Sequence, residues 1–399
     1  MKYKYVAVTD TGFKVSGSVE SSSEADVISM LRGNNYLPVS VERDIGAEAG
    51  IEFFSPKVTK KDLAIFCKQF FTMLDAGLSI VKCLDVLAAQ TENKALKKAI
   101  SIVADDVQKG MTLSEAMALQ TKVFPRILVN MVEAGEVSGD LDGILEKMAV
   151  HFEKDNKIES KVKSSTVYPI ALLVVSVCVV VFMVVFVLPT FVGMFEGSGT
   201  ELPGPTRVLI NLSDSIRSRW YVYLGVIVLV VFGVKTFTSS EGGRQVFDGI
   251  KLKLPILKTT TVKVVTSRFT RTLSTLMSSG IPLLKAMEVV SRVVDNSVVE
   301  QKIKDGMEDI RRGVPLSRAV KEVGIFPPMV DSMIRIGEES GALDDILLKT
   351  ADFYDEEVEV ALTRMTTLLE PLMIVFMALI IGFIVIAMYL PMFEVVTTI

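Results

Sequence analysis

Histidine is almost missing from this chain: His151 is the only one in 399 residues. Tryptophan also occurs once, and the three cysteines, Cys67, Cys83 and Cys178, fall at no metal-ligand spacing. No nucleophile elbow and no HExxH pair occurs. The glycine-rich pieces, Gly197-Ser198-Gly199 and Gly242-Gly243, lack the Lys-Ser/Thr of a phosphate loop and read as turns. His151 reads as a solvated residue on the polar end of a long helix. The expectation is therefore no catalytic residue, no metal, no cofactor and no enzyme activity. With a net charge of −4 and a pI near 5.4, the chain also lacks a basic, aromatic-interleaved stripe, so nucleic acid is not an expected partner. The start, Met1-Lys2-Tyr3-Lys4, alternates polar and apolar residues without the apolar core of a signal peptide, which places the N-terminus in the cytoplasm.

What is present is an apolar excess. Half the residues are hydrophobic, and the mean hydropathy is +0.44. Charged residues still make up 23%, a soluble-protein share, so the two must be segregated. Pro169–Leu188 and Pro371–Phe393 are 20 and 23 residues without a charge, and about 20 suffice to cross a bilayer. Residues 170–188 hold fifteen Leu, Ile, Val or Phe, which favours insertion by about 5 to 9 kcal/mol. A third run, Trp220–Val234, is short. Snorkelling of Lys235 extends it to Phe237. Lys154, Lys157, Lys161 and Lys163 precede the first span, and Lys235, Arg244, Lys251 and Lys253 follow the second. Positive-inside reasoning puts both charged regions in the cytoplasm and the connector 191–219 outside.

The chain also repeats itself. Phe66, Gly77, Lys82, Asn93, Gly110 and Ser114 recur 203 positions later as Phe269, Gly280, Lys285, Asn296, Gly313 and Ser317. From Phe124-Pro125 (Phe326-Pro327) onward the offset is 202, and it holds through Pro169 and Pro371 to Pro189 and Pro391. Each unit reads as a helical bundle followed by a span, and the two units are parallel rather than inverted. Leu63, Phe66, Phe70, Met73 and Leu74 have helical spacing. Ser79 and Asn93 are placed to cap helices, Thr112-x-x-Glu115 has the form of a capping box, and a helix is expected from Pro125 to Gly135. A long helix from Leu141 should continue through Tyr168-Pro169 into the membrane.

The fold class that follows is a mainly α integral membrane protein. Two duplicated antiparallel bundles of about six helices each (59–168 and 238–369, the repeat beginning near 262) lie in the cytoplasm. Three transmembrane helices follow at 169–190, 220–237 and 370–393, with a tail at 394–399 outside. Residues 1–43 read as a small ββαβ module, with strands at Tyr3–Thr9 and Phe13–Val19, a turn at Asp10-Thr11-Gly12, a helix at Ser23–Arg32 and a strand at Leu37–Val41. Residues 44–58 read as a linker.

Three local signals bear on function. The first is Gly-Glu-x-Ser-Gly, at Gly135, Glu136, Ser138 and Gly139 and again at Gly337, Glu338, Ser340 and Gly341. It reads as a helix corner, with glycines at positive φ and serine capping the next helix, or as a place where Glu136 and Glu338 meet a partner or the neighbouring bundle. The second is Asp352, Asp355, Glu356 and Glu359, one acidic helical face, either solvated or docking a basic partner or a weakly held cation. The third is the bundle–membrane junction, Tyr168-Pro169 and Glu370-Pro371, where a kink or boundary would set the angle between bundle and span.

Two repeated bundles, each carrying Gly-Glu-x-Ser-Gly and then an x-Pro-led span, resemble the inner-membrane platform proteins of type IV pilus and type II secretion machines, the GspF/PilC family. Tyr5-Val6-Ala7, Gly12, Gly17-Ser18-Val19, Glu24-Ala25 and Leu31 resemble that family's small leading domain. The short middle span and the unlike junctions Tyr168-Pro169 and Glu370-Pro371 depart from it. The resemblance implies a homo-oligomer in the inner-membrane lipid, engaging a hexameric assembly or retraction ATPase, pilins or pseudopilins, and other inner-membrane components. A membrane-anchored signalling or scaffold adaptor is the alternative. A small-molecule transporter is disfavoured, because the spans carry no Asp, Glu, Lys, Arg or His in their interiors.

Overall fold

The computed structural model of the chain describes residues 2–9, 14–20, 24–33, 36–43, 57–193 and 203–398. The expected turn at Asp10-Thr11-Gly12, residues 44–56 of the linker and the Gly197–Gly199 turn lie outside them. Contacts divide the chain into an N-terminal unit and a larger unit that holds both repeats.

In the N-terminal unit, β1 (Lys2–Thr9), β2 (Lys14–Glu20), α1 (Glu24–Gly33) and β3 (Tyr36–Arg43) follow one another. The strands form an antiparallel sheet in the order β2-β1-β3, with Tyr3 opposite both Val19 and Arg43. Val6 pairs with Ser40 but Ala7 with Pro38, so β3 holds a bulge. Pro38 thereby sits on an edge strand, where a residue without an N–H is tolerated. Val27 and Leu31, one helical turn apart, make a small core with Val19 and Tyr36.

The larger unit is helical. Its first half contains α2 (Lys60–Asp75), α3 (Ile80–Gln90), α4 (Lys94–Gln108), α5 (Leu113–Leu119), α6 (Arg126–Ser138) and α7 (Leu141–Phe182). Local chemistry sets the ends. Thr59 and Asp62 form a capping box at α2, and Thr112 and Glu115 form another at α5. Asn93 accepts the Ala95 amide at 3.0 Å. Ser79 stands at the cap position of α3, but its side chain makes no capping bond. Phe66 packs against Phe70 and Phe124, each at 5.7 Å between ring centroids, at the centre of an apolar core.

α7 runs through Pro169, widens into a π turn at Met183–Val187, and continues as α8 (Leu188–Gly193). α9 (Gly204–Ser239) carries the middle span. The connector is thus helical from Gly204, and Arg219, with φ −124° and ψ 28°, breaks α9 where the span was expected to begin. The second half contains α10 (Glu241–Lys253), α11 (Pro255–Met277), α12 (Leu283–Val293), α13 (Ser297–Arg311), α14 (Leu316–Val323), α15 (Pro328–Ser340) and α16 (Leu343–Thr398). Phe269 meets Phe326 at 4.6 Å, the counterpart of Phe66 and Phe124. Asn296 accepts the Val298 and Val299 amides at 3.1 Å, the counterpart of Asn93.

Among the described residues three helices are long and apolar enough to cross a membrane, within Leu141–Gly193, Gly204–Ser239 and Leu343–Pro391. Pro169 and Pro371 lie inside α7 and α16 and end neither helix. No helix boundary exists at the junction: proline removes one hydrogen bond, and the turns on either side of it remain helical. The span of α9 is exposed on every face, including Trp220 at 63% and Leu229 at 71%.

Candidate coupling site between the repeated bundles

α6 does not stop at Gly135 but runs on to Ser138, and the chain turns at Gly139, whose φ is +77°. Gly341 does the same after α15, at φ +69°. Only these two glycines of the motif need the left-handed region. Gly135 and Gly337 stay helical and buried, for a different reason. A Cβ on Gly135 would lie 3.1 Å from the Leu141 Cα, and one on Gly337 would lie 2.9 Å from the Leu343 Cα. They let the following helix start against the preceding one. Nor do the serines cap that next helix: the Ser138 hydroxyl donates back to the Ala134 carbonyl at 2.8 Å, and Ser340 to Ile336 at 2.7 Å. A serine at a helix end has the preceding turn's carbonyl within easier reach.

The glutamates are engaged inside their own bundles. Glu136 accepts the Leu113 amide at 2.6 Å, the Ser114 amide at 3.1 Å and the Ser114 hydroxyl at 2.5 Å. Glu338 accepts from Leu316 at 2.6 Å, from the Ser317 amide at 3.3 Å and from its hydroxyl at 2.5 Å. In each repeat a carboxylate closes the free N-terminus of a short helix, where the helix dipole favours negative charge.

The two bundles meet along α7 and α16. Ile158 packs with Val358 and Leu362, flanked by Val162, Val264 and Met365. Deeper toward the far end, Val184 and Leu188 share a cluster with Ile384, Ala387 and Met388. The two helices therefore run parallel and nearly in register from the bundles into the spans. Positions equivalent under the 202-residue offset face each other. Lys157 pairs with Glu359 at 3.3 Å, and the Tyr168 hydroxyl donates to Glu370 at 3.4 Å. Identical residues there would set like charges together. The unlike junctions Tyr168-Pro169 and Glu370-Pro371 form such a complementary pair.

The acidic face is accordingly closed by cations of the same chain. Asp352 meets Arg271 at 2.8 Å and Lys154 at 3.5 Å, Asp355 meets Arg271 at 2.6 Å and accepts the Ser267 hydroxyl, and Glu359 also meets Lys161. Glu356 is exposed. Among the described residues no group of three or more His, Cys, Asp or Glu could hold a metal ion. Of the face that looked solvated in sequence, only Asp355 is turned into the seam; Asp352 and Glu359 are ion-paired at its edge and remain half-exposed.

The ion pairs beneath this face escaped the sequence reading. Lys60 binds Asp155 at 2.5 Å, and its counterpart Lys263 binds Glu357, the counterpart of Asp155, also at 2.5 Å. Asp155 is additionally within 3.4 Å of Arg268. Burial alone would raise the Asp155 carboxyl, but Arg268 and Lys60 outweigh it and hold it below the usual range. His151 is 5% exposed, not solvated. Burial pushes its pKa down to about 4, against the attraction of Asp155 and helped by Arg271 and Lys60. It is neutral at pH 7, and its Nδ1 has no partner. A cavity of ≈ 840 Å³ opens beside it, lined by His151, Asp155, Arg268, Lys60 and Phe247 among others. The available sequence signal was charge reversal at equivalent positions: Lys154 and Lys157 against Glu356 and Glu359.

At the far end of the spans the prolines are handled differently. Pro391 has no N–H for the Ala387 carbonyl, and the buried Thr206 hydroxyl of α9 donates to that carbonyl instead. Pro189 leaves the Val185 carbonyl inside the π turn, where Leu188 bonds Met183 five residues back.

Comparison with known proteins is in keeping with this arrangement. The family model for type II secretion system protein F matches the chain twice, over residues 66–189 and 269–391, and its N-terminal domain matches residues 1–42. The type IV pilus assembly protein PilC of Thermus thermophilus is 37% identical over 99% of this chain and 98% of its own length. That of Myxococcus xanthus is 37% identical over 98% of this chain and 94% of its own. The type II secretion system protein F of Vibrio cholerae is 31% identical, over 98% of each.

Proposed function

The chain belongs to the type II secretion system protein F family, and from that membership we propose that it is the inner-membrane platform of a type IV pilus assembly machine. The identity to pilus proteins, 32% to 37%, runs above that to secretion proteins, 29% to 31%, and favours a pilus over a secretion system. In this reading the platform couples a cytoplasmic motor ATPase to the insertion and extraction of pilins at the fibre base, working as an oligomer. The N-terminal unit and both bundles are cytoplasmic in this reading, and the connector 191–219 and the tail 394–399 lie outside.

One observation carries the mechanism. α7 and α16 pass without interruption from bundle to span and are tied side by side along the way. A displacement of the bundles reaches the membrane through helix, which resists bending and twisting, and not through loop. The seam of ion pairs and apolar contacts makes the two helices move as one.

The test is in cells. A Gly-Ser-Gly spacer inserted between Thr166 and Val167 should leave the protein in the membrane but abolish surface fibres. Normal fibres would exclude the helix as the coupling element. Loss of the gene should abolish fibres altogether, and filaments surviving its deletion would sink the assignment. A tag at residue 200 should be reachable from outside, and tags at residues 1 and 300 should not.

A further inference from the structure

Among the described residues α10 has no counterpart before the first repeat, and it is built asymmetrically. Val246, Ile250 and Leu254 recur every four residues with Phe247 beside them, a single stripe on the helix. They are 54%, 46%, 47% and 45% exposed. The side of α10 turned to the bundle is polar: buried Asp248 accepts the Ser297 amide at 2.9 Å and its hydroxyl at 3.0 Å, capping α13. The usual arrangement of a surface helix, apolar side inward, is reversed. Cations flank the stripe on both edges, Lys253 on one and Lys251 and Arg244 on the other. Lys251 lies 4.7 Å over the Phe247 ring, and Lys258 stands exposed just beyond.

The helix is also held at the membrane. It begins two residues after Ser239, the last residue of α9. The Ser240 hydroxyl donates to the Phe237 carbonyl at 2.7 Å and accepts the Gly243 amide at 3.2 Å. A Cβ on Gly243 would fall 1.8 Å from the Phe237 carbonyl oxygen, so the corner is closed against the end of the span.

We propose that α10 lies in the cytoplasmic headgroup layer, with Val246, Ile250 and Leu254 in the acyl boundary, Phe247 turned toward the cavity at its edge, and Lys253 and Lys258 on anionic phospholipid headgroups. An exposed apolar stripe edged by lysines, continuous with a transmembrane helix, meets a surface of that chemistry as soon as it leaves the span. Because its other face caps α13, the contact fixes the second bundle against the leaflet. The proposal rests on residues 220–237 crossing the bilayer.

The test uses the full chain in vesicles, with the exposed Cys178 replaced by serine. Single cysteines at Ile250, Gln245 and Ile227 carry an environment-sensitive fluorophore. In phosphatidylcholine vesicles containing phosphatidylglycerol, the Ile250 label should be quenched by a shallow lipid nitroxide and shielded from aqueous iodide. The Gln245 label should show the reverse, and the Ile227 label should respond to a deep nitroxide. Shielding at Ile250 should persist at one copy per vesicle. Lys253→Glu with Lys258→Glu should shift the shielded-to-accessible ratio at Ile250 by about 25-fold, from roughly fivefold per basic residue. Iodide access at Ile250 equal to that at Gln245 overturns the proposal. Shielding that vanishes on dilution overturns it too and identifies a second copy as the cover. Failure at Ile227 removes the span and the proposal together.

Discussion

The two repeats keep the same corner and differ in what covers α2 and its counterpart α11. Glu136 and Glu338 close the same helix end with the same three bonds. Lys60–Asp155 and Lys263–Glu357 are the same ion pair. Yet the face of α2 bearing Ile65 and Lys68 is exposed, while the equivalent face of α11, bearing Arg268 and Arg271, is closed by α7 and α16. Equal sequences at equivalent positions serve the interior of each bundle. Unequal ones serve the seam, because two copies of one helix placed side by side repel wherever they carry like charge.

That contrast is broken most easily at the arginines. Arg271→Met strands Asp355, which is 16% exposed, beside a neutral side chain and should destabilise the helical bundles by about 3 to 5 kcal/mol. Lys68→Met, at the equivalent exposed position, should change stability by less than about 0.5 kcal/mol. Urea-dependent proteolysis of the solubilised protein reads both, and equal losses would show that the repeats are not used differently.

His151 and its counterpart Phe353 give the next largest difference. His151 titrates near 6.5 when unfolded and near 4 when folded. Between those values the unfolded chain binds a proton that the folded chain does not. The neutral histidine's contribution is therefore fully present above pH 6.5 and is lost as pH falls to 4, on the order of 3 kcal/mol. His151→Phe should flatten stability across that window. The loss below pH 4, where Asp155, Asp352 and Glu359 are protonated, should remain.

Glu136→Ala and Glu338→Ala sharpen the common half of the comparison. Each should cost about 1.5 to 3 kcal/mol, equally in the two repeats, with membrane insertion intact. A variant that abolishes fibres without any change in melting would mean that its glutamate meets a partner as well. Thr206→Val is the smallest change. It frees the Ala387 carbonyl and should cost about 1 kcal/mol, an effect with no counterpart at Pro189. Melting of the membrane part in detergent measures it, and no shift would mean that the carbonyl is satisfied elsewhere.

Much of the fold is legible in the sequence because its signals are local. Uncharged runs mark the spans, Thr112 and Glu115 write their own capping box, and the motif's last glycine stands where the chain must turn left-handed. The candidate site was less legible. Gly135 and Glu136 look like corner and contact residues, but the first is needed for the close approach of Leu141 and the second for the end of α5. His151 looks like a polar surface residue because its own helix turn is polar, and the helices that bury it are remote in sequence. The acidic residues of α16 read as solvated for the same reason: Arg271 and Lys154, which neutralise them, come from other helices.

The sequence alone determined the doubling, the three crossings and the order of the helices, since hydropathy, periodicity and caps act over neighbouring residues. Only the tertiary structure decided which faces those helices hide. Placing α7 beside α16 and α11 against both turned charges that seem free in the chain into a paired seam, buried only around Arg271, Arg268 and Asp155, because burial and pairing belong to surfaces that distant segments make together.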